Sequence, residues 1–225
     1  MPEMVIHCWS GPRSLSTATL YSFNQREDIE CFDEPLYAPY LRAHPEISRP
    51  YRKELLDRDR HLHDKEEEAG LGVRVGAFNP ESANGILKGF NDVIVANGAD
   101  ARLSLNSKYV YLKHIAKFYE GIDFSHMSSD RHKHIILLRD PMDIIRSWSK
   151  NSETTDNSCT LEDTGYLKLY QLYADCLQYT GKPPIVINSN ILRAHPKEVL
   201  TELCSRMEIP FDECMLSWPK GQKKK

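Results

Sequence analysis

A parallel α/β fold is what this sequence predicts, on two observations. Short apolar runs rich in β-branched and aromatic residues recur along the chain, and segments with helical periodicity lie between them. Strands alternating with helices need crossover connections, which build a central parallel sheet with helices packed on it. A length of 225 residues suits one core with an excursion, so a single domain over 1–225 is expected.

The first strand is residues 5–9 (VIHCW), and residues 15–26 follow it as a helix. Residues 29–32 (IECF) form a weaker strand. The next stretch, 51–69, is so polar that it predicts a solvated helix, the centre of a helical excursion around 44–70. Residues 70–106 show no legible pattern. Two buried strands come next, 109–112 (YVYL) and 134–138 (HIILL). Residues 142–150 continue as a helix with Pro141 in its first turn, where a missing N–H costs nothing. Helical spacing returns over 161–179 and 196–207, on either side of a last strand at 185–187 (IVI), and a basic tail closes the chain at 220–225.

Composition narrows the function. With 40% hydrophobic and 27% charged residues the chain reads as an ordinary globular protein. No apolar run approaches the roughly 18–20 residues that span a bilayer, and the N-terminus lacks the basic and apolar regions of a signal peptide. A cytoplasmic location with no membrane contact is therefore expected. The net charge of −3 argues against a nucleic-acid partner, which requires a basic face. The six cysteines are scattered without a C-x-x-C pair, which points to reduced core thiols and to no metal. Nothing in the sequence sets the oligomeric state.

Ligands of open α/β sheets bind at the carboxyl ends of the strands, and the turn after the first strand is the most informative. It reads SGPRSLST and leads straight into a helix. Amides at a helix N-terminus favour an anion; Ser14, Ser16 and Thr17 add donors, and Arg13 adds a fixed charge with a planar fork. A nucleotide-hydrolase loop wants G-x-x-x-x-G-K-[ST], and here the second glycine and the lysine are missing. A cysteine phosphatase wants Cys-x5-Arg, whereas Cys8 and Arg13 are spaced Cys-x4-Arg and Cys8 falls in the apolar alternation of the strand. A buried thiol is the plainer reading of Cys8; a Cys8-dependent phosphatase stays as the third alternative.

GPRSLST resembles the 5′-phosphosulfate loop of sulfotransferases, usually P-K-S-G-T-T, with Arg13 at the lysine position. HIILLRDPMDIIRSW resembles their 3′-phosphate motif: Arg139 at the strand end and Ser147 eight residues later keep its spacing. LYSFNQREDIECFDEPLYAPYL and VINSNILRAHPKEVLTELCSRMEIPFDECMLSWPKG are similar to one sulfotransferase branch, often labelled branched-chain amino acid aminotransferase-like. The resemblance covers about two-thirds of the chain and leaves 70–106 unassigned. It extends to no pyridoxal-phosphate chemistry, because no lysine stands in a defensible Schiff-base context.

The resemblance implies a three-layer P-loop fold of the sulfotransferase type. It also implies transfer of a sulfuryl group from 3′-phosphoadenylyl sulfate (PAPS) to a hydroxyl or amine of a small soluble acceptor, by in-line displacement and without a metal. By the same implication Arg13, Ser14, Leu15, Ser16 and Thr17 cradle the 5′-phosphosulfate, Arg139 and Ser147 hold the 3′-phosphate, and Arg13 stabilises the leaving group. Many relatives place a general base in a Lys-x-His strand end. Here Lys113 and His114 are adjacent, so His114 is one candidate base, and Asp33 or Glu34 in FDEPLY is the rival. Ala18 stands where some members carry the adenine-stacking Trp. A catalytically inactive nucleotide-binding protein on the same fold, able to hold 3′-phosphoadenosine 5′-phosphate (PAP), is the second reading.

Overall fold

The structure is a computed structural model, and it describes residues 2–47, 52, 53, 56, 82–95, 107–149 and 159–219. Its centre is a five-stranded sheet in the order β2-β3-β1-β4-β5, parallel throughout. The strands are β1 (Met4–Ser10), β2 (Ile29–Asp33), β3 (Tyr109–Ile115), β4 (His132–Leu138) and β5 (Ile185–Asn188). The helices are α1 (Ser16–Asn24), α2 (Tyr37–Ala43), α3 (Ala83–Val95), α4 (Pro141–Ser149), α5 (Leu161–Thr164), α6 (Tyr166–Thr180), α7 (Ser189–Ala194) and α8 (Pro196–Arg206).

Side chains alternate across the pleat, so each strand feeds two cores. On one face Val5, Trp9, Val110, Leu112 and Ile136 pack with Leu87 and Phe90 of α3 and Leu169 and Leu172 of α6. On the other face Ile6, Cys8, Tyr111, Ile135 and Leu137 pack with Leu20 and Phe23 of α1 and Leu200 and Leu203 of α8. The result is three layers, helices on both faces of a parallel sheet. From β1 the chain leaves toward β2, and from β4 it leaves the other way toward β5. Connections that diverge from neighbouring strands open a crevice at their carboxyl ends, and the two phosphate-loop candidates border that crevice.

Several boundaries differ from the sequence reading, three of them for a clear physical reason. β3 runs on to Ile115, because the ladder pairs Cys8 with Lys113 and Trp9 with His114 and both polar side chains find partners. β4 starts at His132, whose ring is likewise hydrogen-bonded. The helix expected over 161–179 is two helices, because Gly165 at φ 76° turns the chain between α5 and α6. α3 occupies part of the stretch that had no legible pattern. Most of the polar excursion around 44–70 and the basic tail 220–225 lie outside the described residues. Among the described residues no helix is long and apolar enough to cross a membrane.

Candidate active site

The loop from Ser10 to α1 winds with alternating hand. Arg13 has φ 62° and Leu15 has φ 64°, while Ser14 between them keeps a negative φ. Left-handed residues two apart bend the loop tightly, the kind of backbone that turns its amides toward an anion as a nest. Helix α1 adds its own N-terminus. The first amide to bond back along it is that of Thr19, to Leu15 O at 3.0 Å, so the amides ahead of it are left to a ligand. The Leu15 conformation belongs to the position where the resembling motif has glycine. In the left-handed region a side chain costs about 1–2 kcal/mol, strain of the kind that collects at functional loops.

Distant segments hold the nest in shape. Gly11 passes so close to α5 that an added Cβ would stand 2.2 Å from Thr164 O. Ser189 Oγ, at the start of α7, donates to Ser14 O at 2.9 Å. Arg139, just past β4, donates to Arg13 O at 2.5 Å, and Tyr166 Oη donates to Arg139 O. Arg13 Nε donates to Ser147 Oγ at 3.0 Å. The structure thus joins Arg13, Arg139 and Ser147 into one cluster. Ser189 falls in the turn after the last strand, where the strand-end rule places ligands, whereas Tyr166 was not legible, because a hydroxyl that bonds a distant carbonyl leaves no local pattern.

Beside the nest, at the ends of β2 and β3, lies a charged triplet. Lys113 Nζ is 2.6 Å from Asp33 Oδ1 and 2.7 Å from Glu34 Oε1, and its side chain is 5% exposed against 36% and 27% for the two carboxylates. Burial works against the ammonium charge, but Glu34 and Asp33 more than offset it and raise the Lys113 pKa above the ordinary lysine value. Glu34 itself sits at φ 51°.

His114 points the other way. It projects to the face carrying Trp9, is fully buried, and stacks on the Trp9 ring at 4.0 Å between centroids. Its Nε2 is 3.2 Å from His7 Nδ1, and His7 Nε2 is 2.9 Å from His132 Nδ1. His132 Nε2 continues to Asn91 Oδ1 at 3.3 Å. Burial, followed by the charges of His134 and Lys113, holds the His114 pKa well below the usual histidine value. The expected site position for His114 is therefore corrected: β3 runs past it and its ring belongs to a buried histidine ladder. Cys8 is also fully buried, and burial pushes its thiol up to about 12, the reverse of what a nucleophile needs. Among the described residues no group of His, Cys, Asp and Glu is arranged to hold a metal ion.

A sulfotransferase-domain family model matches residues 4–73 and 91–225. The chain belongs to the sulfotransferase-domain family. Two Arabidopsis thaliana proteins are similar along almost all of it. Branched-chain-amino-acid aminotransferase-like protein 2 is 36% identical over 96% of this chain, and protein 1 is 38% identical over 98%. This chain spans only 32% and 33% of their lengths. Among solved structures, the sulfotransferase domain of the Synechococcus PCC 7002 olefin synthase shares 17% identity at a TM-score of 0.55, covering 98% of this chain and 78% of that one. The sulfotransferase domain from the curacin biosynthetic pathway shares 16% at 0.51, covering 99% and 79%. Both are likenesses of fold, and the parallel five-stranded sheet is of the P-loop-like sulfotransferase type.

Proposed function

We propose that this chain is a PAPS-dependent sulfotransferase that transfers the sulfuryl group to a hydroxyl or amine of a small soluble acceptor. The observation that carries the reading is the bond from Arg13 to Ser147, with Arg139 on the Arg13 carbonyl. It sets the anion nest of one loop against a second cationic grip, the arrangement a ligand with two separated phosphate groups requires. The donor supplies an activated sulfuryl group on a 5′-phosphate; the remaining tasks are this chain's. The nest amides of Ser14, Leu15, Ser16 and Thr17 orient the 5′ end, and Arg139 with Ser147 takes the 3′-phosphate. Arg13, permanently charged, stabilises the leaving oxygen and donates no proton to it.

For the acceptor proton, Glu34 is the better-placed base. Its carboxylate is partly exposed beside the nest, whereas the His114 ring is sealed in the core. Lys113 positions Glu34 and Asp33 from below. Trp218 answers the absence of an aromatic residue at Ala18: it is 40% exposed and lies 5.9 Å from the Tyr21 ring on α1, offering the purine a surface to stack on.

The first experiment is thermal unfolding with and without PAP. The wild-type chain gains Tm with PAP concentration, and Arg13→Ala and Arg139→Ala each lose most of that gain. No shift in the wild type, beside a shift in an established sulfotransferase, would sink the reading. Transfer of labelled sulfate from PAPS across a metabolite pool then separates an active enzyme from a chain that only holds the nucleotide. In that assay Glu34→Gln keeps the PAP shift and lowers turnover by about 10²–10⁴ if Glu34 is the base.

A further inference from the structure

The far edge of the sheet has no role in the donor site. β5 closes the strand order, and among the described residues it pairs with β4 on one side alone. Exposed edges are usually blunted with lysine, proline, a bulge or an inward charge, because bare amides and carbonyls recruit other strands. β5 is short, four residues, and Lys182, Pro183 and Pro184 precede it, but the strand itself, IVIN, carries no charge or proline, and Val186 on it is 45% exposed. Along it runs an apolar cleft of about 430 Å³, lined by Ile185, Ile187, Ile191, Val199 and Leu203. Ile191 at its mouth is 54% exposed. An unpaired strand beside an apolar slot is a surface to be covered.

We propose that this edge is a two-fold interface with a second copy of the chain. β5 would pair antiparallel with its own copy and extend the sheet from five strands to ten. The charges at the rim choose this occupant over an unrelated peptide. Glu198 lies in the first turn of α8 and Arg206 is its last residue, and both line the cleft. Eight residues of helix separate them by about 12 Å. A two-fold axis through β5 reverses α8 along with the strand, so each Glu198 meets Arg206 of the other copy and the pair occurs twice. That is the self-complementarity an isologous interface demands. Glu202, midway between them on the cleft, would face its own copy, and Arg206 Nε of the same helix at 2.8 Å offsets that repulsion while the terminal guanidinium nitrogens are left for the incoming carboxylate. Val186 and Ile191 of each copy would then close over the apolar cleft.

The test is sedimentation of the full chain across a concentration series, with circular dichroism to confirm that each variant is folded. The wild type shows a concentration-dependent dimer. Glu198→Arg and Arg206→Glu each raise the dimer dissociation constant about tenfold or more, since two attractive pairs become repulsive. An equal mixture of these two variants regains dimer, because every rim pair in the mixed species is attractive again. Val186→Asp removes the dimer while leaving the PAP-induced Tm shift intact. A wild type that stays monomeric throughout would overturn the proposal, as would a dimer indifferent to the charge reversals. So would a monomer whose β5 amides are protected from exchange only by an added extended peptide.

Discussion

Individual residues in the first loop carry more conformational cost than the sequence suggests. Leu15 holds the left-handed conformation that glycine accepts freely, and Arg13 holds it two residues earlier. Leu15→Gly is expected to keep PAP affinity and to leave stability within about 1 kcal/mol, because relief of strain offsets the extra freedom of the unfolded chain. Leu15→Val should act in the opposite direction. A β-branched side chain tolerates this conformation worst, so the nest loses its shape and the PAP shift falls with it. Equal PAP affinity in the two variants would mean that the loop geometry does not matter to binding. Gly11 is constrained differently. Its Cβ would stand 2.2 Å from a backbone carbonyl that cannot swing away, so Gly11→Ala should cost about 1–3 kcal/mol in urea unfolding, as other overpacked sites do.

Among the elements, β2 and β3 join through their charges as well as their ladder. Lys113→Met keeps the length of the buried stem and removes the ammonium that faces Asp33 and Glu34. The two carboxylates then face each other without a cation. The cost should be about 3 kcal/mol at pH 7, the lower end for a broken buried pair because both carboxylates reach solvent. Urea unfolding at pH 7 checks it; a variant as stable as the wild type would mean that the two ion pairs add nothing to the fold. The same triplet explains how far the sequence could be read. The strands announce themselves where both faces are apolar, as in residues 109–112, and the apolar signal ends at Lys113 although the strand does not. A charge met by carboxylates from the neighbouring strand looks, in one dimension, like the start of a loop. Arg13, Arg139 and Ser147 were legible because a motif fixes their spacing. Where β3 ends was not, because a strand's end depends on partners 80 or more residues away.

Across the whole molecule, the least expected feature is the histidine ladder between the sheet and α3. His7, His114, His132 and His134 lie on one face, with His7 at the centre, 5.0 to 5.4 Å from the other three rings. Burial holds all four below their ordinary pKa: His132 at about 3, His134 at about 4, His7 and His114 well below. Repulsion from neighbouring protonated rings adds to this for His7, His114 and His132. Trp9, Phe124 and Tyr119 wall the cluster with rings that carry no charge, and the Lys113 ammonium opposes protonation of His114 further. Above pH 6.5 both folded and unfolded chains hold these rings neutral, and the ladder adds no pH dependence. Below it the unfolded chain takes up protons that the folded chain refuses, so stability falls as pH falls from about 6.5 toward the folded values. Each such proton contributes about 1.4 kcal/mol per pH unit, which sets a ceiling near 5 kcal/mol per unit for four. Carboxylates titrate lower, so the window from pH 6.5 to pH 5 belongs to the histidines. Urea midpoints at pH 7.5, 6.0 and 5.0 should therefore drop steeply over the last two. His7→Gln can still donate to one neighbour and accept from the other while removing one titrating ring, so its decline should be about a quarter shallower. Midpoints that hold constant down to pH 5 would mean that the rings accept protons inside the folded sheet, which this packing does not permit.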